Sequence, residues 1–138
     1  GRLTIIHRDP LFIVDGAHNP AAADMLEASV SRYFKDRTMY FIMGVFKDKD
    51  YSYIVRKLCP YAKKIFTIET PDNPRALPAE ELAEAIRPCN PCVSAADGIS
   101  DAVDKVFALA GKDDLILSFG SLSFIGELTE CVRKHERN

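Results

Sequence analysis

Asp15, His18 and Asn19 lie in Leu11-Phe-Ile-Val-Asp-Gly-Ala-His-Asn-Pro20, where a short apolar run stops in a polar turn and an alanine-rich segment begins. Large apolar residues ending in Asp-Gly are the mark of a strand covered on both faces, which needs no polar alternation. Pro20 suits the first position of a helix, and Asn19 is its natural N-cap. Asp15 and His18 therefore fall at the carboxyl end of a strand beside a helix N-terminus. In open parallel sheets ligands bind there, and the free N–H groups favour an anionic one. On spacing alone, Asp15 and Asn19 serve equally well as plain caps, with His18 a surface histidine.

Two further stretches offer partners for that anion. Gly44-Val-Phe-Lys47-Asp-Lys49-Asp50 and Gly120-Ser121-Leu122-Ser123 each follow an apolar run. In a parallel sheet they reach the same edge as Asp15. Gly44 and Gly120 permit close backbone approach, Lys47 and Lys49 neutralise negative charge, and Ser121 either caps a helix or lends its hydroxyl to a carboxylate. A solvated loop and plain turn glycines explain the same residues. Cys89-Asn-Pro-Cys92 has the spacing of half a zinc site, but no second pair completes four ligands, so neither metal nor redox chemistry is expected of it. Nowhere does Gly-x-x-x-x-Gly-Lys-[Ser/Thr] occur, so this sequence lacks the loop that cradles a triphosphate.

The elements that position these residues alternate. Leu3–His7 and Leu11–Val14 flank a proline turn, which predicts an antiparallel edge strand. A helix from Pro20 to Phe34 is expected to turn Ala22, Met25, Leu26, Ser29, Val30 and Tyr33 inward. Strands follow at 40–44, 65–68, 93–95 and 115–119. Helices begin near Tyr51, at Pro78, at Asp97 or Ser100 as cap, and after Gly120-Ser121, with Leu122, Ile125, Leu128 and Val132 on the last one's inner stripe. The fold class is α/β, a Rossmann-like three-layer sandwich with a mostly parallel sheet.

The 138 residues are 47% hydrophobic and 28% charged with a net charge of −2, one globular domain without the basic footprint of a nucleic-acid binder. No apolar run reaches the roughly 20 residues that span a bilayer, and no signal-peptide pattern opens the chain, so the cytosol is the expected compartment.

Asp15-Gly-Ala-His18-Asn-Pro, the Lys47-Asp-Lys49-Asp50 loop, Thr70-Pro-Asp-Asn73-Pro-Arg75-Ala-Leu-Pro-Ala-Glu-Glu-Leu82 and Phe119-Gly-Ser121-Leu-Ser-Phe-Ile-Gly-Glu127 occur in this order and span nearly the whole sequence. Together with Gly1-Arg2-Leu3 they resemble the C-terminal domain of folylpolyglutamate and dihydrofolate synthases, members of the Mur-type ATP-dependent amide ligases. The resemblance implies an excised domain, inactive alone, whose parent uses ATP and magnesium to convert a folate or dihydropteroate carboxyl into an acyl phosphate that L-glutamate attacks. A central P-loop domain would be its partner, and this segment would hold no metal. Carried over by position, Asp15 and Arg2 would reach the nucleotide. His18 would lie near the transferred phosphoryl and the incoming glutamate, contributing a hydrogen bond to developing negative charge. Ser121, the N–H of Leu122 and, more weakly, Lys47 would take the glutamate carboxylate. Arg75 and Asn73 match the pattern with no role beyond ordering their loop. A Mur-type cell-wall ligase and a non-catalytic nucleotide-binding module are the alternatives.

Overall fold

The structure, a computed structural model, describes residues 3–137. The Arg2 assignment therefore lies outside the described residues.

Six strands form one sheet in the order β1-β2-β6-β3-β4-β5. β1 (Thr4–His7) runs antiparallel to β2 (Leu11–Val14), pairing Thr4 with Val14 and Ile5 with Ile13. β2, β6 (Leu115–Phe119), β3 (Met39–Met43), β4 (Lys64–Thr67) and β5 (Val93–Ala95) are all parallel. Every residue of β3 and β6 is buried, as continuous apolar runs require when helices cover both faces.

Alternation along the strands separates two cores. Ile13, Leu117, Phe41, Ile65 and Val93 share one register row and pack under α1 (Pro20–Tyr33), α2 (Tyr51–Leu58) and α3 (Ala79–Ile86). Phe12, Ile116, Tyr40 and Ile42 face the other way, under α4 (Ile99–Leu109) and α5 (Ile125–Arg137). The three-layer architecture expected from the sequence is thus present. Phe41 meets Phe119 edge to face at 5.2 Å, joining β3 to β6; burying one such ring is worth about 1.5–3 kcal/mol.

Asn19 caps α1 as its type predicts: its extended backbone and its Oδ1, 2.9 Å from the Ala22 N–H, satisfy a free donor of the first turn. The inward face of α1 differs from expectation. Met25 and Tyr33 are 62% exposed, and Ala23, Leu26 and Val30 make the buried stripe. The apolar residues of this helix exceed what one face holds, and the small Ala23 allows the close approach to the sheet. At α4 neither Asp97 nor Ser100 is the cap. Gly98 occupies that position at φ 133°, and the Asp101 carboxylate reaches back to the Asp97 N–H at 2.9 Å. Before α5 comes a 3₁₀ turn, Leu122–Phe124, which sinks Phe124 into the second core while Ile125 is only half-buried.

All four cysteines are free. Asn90, between Cys89 and Cys92, is buried; its amide donates to the Cys59 and Ala62 carbonyls and its oxygen accepts the Cys92 N–H. That side chain anchors the Cys-Asn-Pro-Cys loop. Among the described residues no helix is long and apolar enough to cross a membrane.

Candidate functional site

The neighbours β2, β6 and β3 end side by side, so the loops after Val14, Phe119 and Met43 meet at the carboxyl edge of the sheet. Gly120, in the middle, has φ 113°, and a Cβ there would stand 2.3 Å from the Gly44 carbonyl oxygen. Only glycine permits both the backbone angle and the contact. The approach closes the floor of a cavity of about 260 Å³.

His18 forms one wall of the cavity, Ser121 and Ser123 another, and Phe46, Lys49 and Arg75 the third. Of the positions singled out by sequence, the structure brings His18 and Ser121 together here, with Leu122 next in chain. Asp15 stands three residues before His18 at the end of β2, where its N–H donates to the Ser118 carbonyl at 3.0 Å, but it does not line the cavity. Lys47 is exposed and does not line it either; its neighbour Lys49 does.

Asp15 is 4% exposed, and its Oδ1 accepts the Ala17 N–H at 2.8 Å. Burial raises its carboxyl above the usual range, and the Ala17 N–H opposes that rise. Its other oxygen has no partner among the described residues, so it is free to accept from a ligand hydroxyl. The same tight turn aims the Gly16 carbonyl at His18, whose Nδ1 lies 2.8 Å away. A carbonyl oxygen only accepts, so Nδ1 carries the hydrogen and the neutral ring presents Nε2 as an acceptor. Donation from Nε2 to developing negative charge requires the doubly protonated ring.

The Ser121 hydroxyl is 2.7 Å from that of Ser123 and accepts the Ser123 N–H at 3.1 Å. Ser123 in turn donates to the hydroxyl of Thr70, which is buried. Across the cavity the Arg75 guanidinium lies 4.4 Å over the Phe46 ring and bonds both oxygens of Asp48, at 2.9 and 3.3 Å. That hydrogen bond holds the Asp48 carboxyl below its ordinary range. The two loops are stitched by Lys47 N–H to the Arg75 carbonyl at 2.8 Å and Leu77 N–H to the Val45 carbonyl at 3.0 Å. Asn73 orders the turn before them, its Oδ1 accepting the Arg75 N–H at 2.9 Å. With one cation paired and Lys49 exposed beside it, the cavity suits an anionic ligand.

Arg75 is the wall residue to which sequence reasoning gave no role at the site; Phe46, Lys49 and Ser123 lie in the two loops it brought to that edge, Lys49 as a cation for the anion. The available signal was topological: the loop after β4 reaches the same edge as the loop after β3, since parallel strands end together.

The description "Mur ligase, glutamate ligase domain" fits residues 1–122 as a family. The dihydrofolate synthase/folylpolyglutamate synthase of Buchnera aphidicola subsp. Baizongia pistaciae is 27% identical over 138 residues, covering 100% of this chain and 32% of the relative. The structure of E. coli FolC in complex with DHPP and ADP superposes with a TM-score of 0.86 at 27% identity, over 100% of this chain and 32% of that one. Mycobacterium tuberculosis folylpolyglutamate synthase, complexed with ADP and AMPPCP, gives a TM-score of 0.77 at 28% identity, over 98% and 31%. The chain spans 15–32% of the length of the curated relatives it matches. It belongs to the Mur ligase, glutamate ligase domain family.

Proposed function

We propose that residues 1–138 form a single domain of a longer ATP-dependent ligase that acts as a folylpolyglutamate synthase, a dihydrofolate synthase or both, and that this domain receives L-glutamate. The supporting observation is the cavity at the β2–β6–β3 edge, lined by His18, Lys49, Arg75 and Ser121, in a chain whose relatives carry those names. The parent reaction turns a folate or dihydropteroate carboxylate into an acyl phosphate at the expense of ATP, and the glutamate amine displaces the phosphate. This sequence has no phosphate-cradling Gly-Lys loop, so activation of the carboxylate falls to a P-loop domain elsewhere in the parent, with the magnesium, and the domain alone turns over no ATP.

Asp15 fits the ribose: a buried carboxylate with one oxygen tied to the Ala17 N–H and the other free accepts from paired hydroxyls. Arg2 is its companion on the nucleotide. Ser121 and the Leu122 N–H receive a glutamate carboxylate, His18 faces the reacting centre, and Lys49, which lines the opposite wall, takes the place of Lys47 as the cation beside that carboxylate. The four free cysteines suit the reducing cytosol as compartment.

The test follows ADP release by the parent protein with tetrahydrofolate or dihydropteroate plus glutamate, for the native sequence, Asp15→Ala and His18→Ala. The expected result is a requirement for both substrates and a loss in each variant of about tenfold or more, the scale of a lost transition-state contact, at unchanged unfolding temperature. ADP release indifferent to the pterin substrate but dependent on a cell-wall precursor would move the assignment to the cell-wall ligases.

A further inference from the structure

The sequence holds two Asp-Gly bonds, Asp15-Gly16 and Asp97-Gly98, and the fold treats them in opposite ways. Asp15 is buried, with its Oδ1 tied to the Ala17 N–H at 2.8 Å. Asp97 is exposed in the loop between β5 and α4, and its carboxylate has no hydrogen-bond or ion-pair partner among the described residues. The peptide joining Asp97 to Gly98 is equally free, since neither its carbonyl nor its N–H is bonded among them. Its two flanks are held instead: Asp101 Oδ2 accepts the Asp97 N–H at 2.9 Å, and the Gly98 carbonyl accepts the Ala102 N–H at 3.1 Å. The peptide plane therefore turns between two fixed points. Gly98 stands at φ 133°, and nothing beyond its chain neighbours lies within 4 Å of where a Cβ would be. With no side chain on Gly98 and open space around it, its nitrogen is unshielded.

We propose that Asp97 is a modification site, where the folded chain forms isoaspartate without any enzyme and independently of the ligase function. The Gly98 nitrogen attacks the carbon of the protonated Asp97 carboxyl. A C–N bond forms, the C–O bond breaks, and the hydroxyl leaves as water with the amide proton, closing a succinimide ring. Water then adds at the ring's backbone carbonyl. The bond from that carbon to nitrogen breaks, and the nitrogen takes back a proton. The backbone afterwards runs through the Asp97 Cβ and Cγ, and a new carboxylate sits on Cα. The longer link falls immediately before α4, whose Ile99, Ala102, Val103 and Val106 build the second core. The product is also the substrate of methyltransferases that esterify isoaspartyl carboxylates, so it can be labelled.

The two Asp-Gly bonds make the test internal. This chain is aged at neutral pH, folded in buffer and unfolded in urea, then treated with an isoaspartyl methyltransferase and an isotopically labelled methyl donor. Mass spectrometry of its peptides reads the label at each site. In the folded chain Asp97 is expected to convert about tenfold or more faster than Asp15, the worth of the one hydrogen bond that Asp15 alone must give up. In urea the two sites should convert at the same rate, because the fold no longer distinguishes them. Asp97→Glu keeps the charge but closes only a larger, slower ring, and should remove the label there while leaving Asp15 unchanged. Equal conversion of the two sites in the folded chain would overturn the proposal. So would a folded chain that stays unlabelled at Asp97 over the time in which the unfolded chain takes up label.

Discussion

Two halves of the cavity are built by opposite means. The His18 half is local: Ala17 N–H to Asp15, His18 Nδ1 to Gly16 and Ala22 N–H to Asn19 all join residues two or three apart. The Arg75 half is long-range: Arg75 bonds Asp48 across 27 positions, Ser123 reaches Thr70 across 53, and Gly120 rests on the Gly44 carbonyl. A local turn forms wherever its sequence occurs and carries its own geometry. The long-range half requires β6 to lie between β2 and β3, and β4 to lie beside β3.

The largest effect should come from breaking the long-range half. Gly120→Ala places a Cβ against the Gly44 carbonyl at φ 113°, and is expected to cost about 2–4 kcal/mol, a strained backbone plus a clash. Urea unfolding reads the cost. Amide shifts should move in the Gly44–Asp48 loop, far away in sequence, and shifts confined to Gly120's own neighbours would remove the claimed dependence of one loop on the other.

Breaking the local half should be milder. Asn19→Ala removes the acceptor of the Ala22 N–H and should lower stability by about 1 kcal/mol, with hydrogen exchange rising only in the first turn of α1. Exchange rising across the Arg75 loop as well would show that the halves are coupled.

Smallest, and opposite in sign, is Asp15→Asn. Because burial raises the Asp15 carboxyl, the folded state binds its proton more tightly than the unfolded chain, and stability is lost as pH rises through the raised value. Asparagine keeps the acceptor for the Ala17 N–H without the charge. The variant is expected to melt higher than the native chain at pH 7.5, with the gap shrinking toward pH 4. A gap independent of pH would mean that the charge is not what costs stability there.

The same division separates what could be read from the amino acids from what could not. The local half, with Asn19 as cap, Pro20 at the helix start and Asp15 with His18 at a strand end, follows from residue type and spacing. The alternation of strands and helices was legible for the same reason, and so were β5 and β6 to the residue, since Val93–Ala95 and Leu115–Phe119 are bounded by turn residues. Where two faces of a helix were both apolar, as at Met25 and Tyr33 in α1, periodicity could not say which face the sheet would take. Phe124 was missed because a 3₁₀ turn shifts the phase at which side chains point inward.

Lys47 and Lys49 are alike as residue types, and only the backbone pairing of Lys47 with Arg75 leaves Lys49 to line the cavity. Arg75 gained its place from the order β6-β3-β4, which brings the loop after β4 to the edge where His18 waits. Sequence alone determined the layered α/β fold and the strand-end turn with its Asn19 cap, because those are set by interactions between near neighbours. Tertiary structure decided which cations and hydroxyls face His18, because strand order is fixed by packing across the whole sheet and no local pattern encodes it.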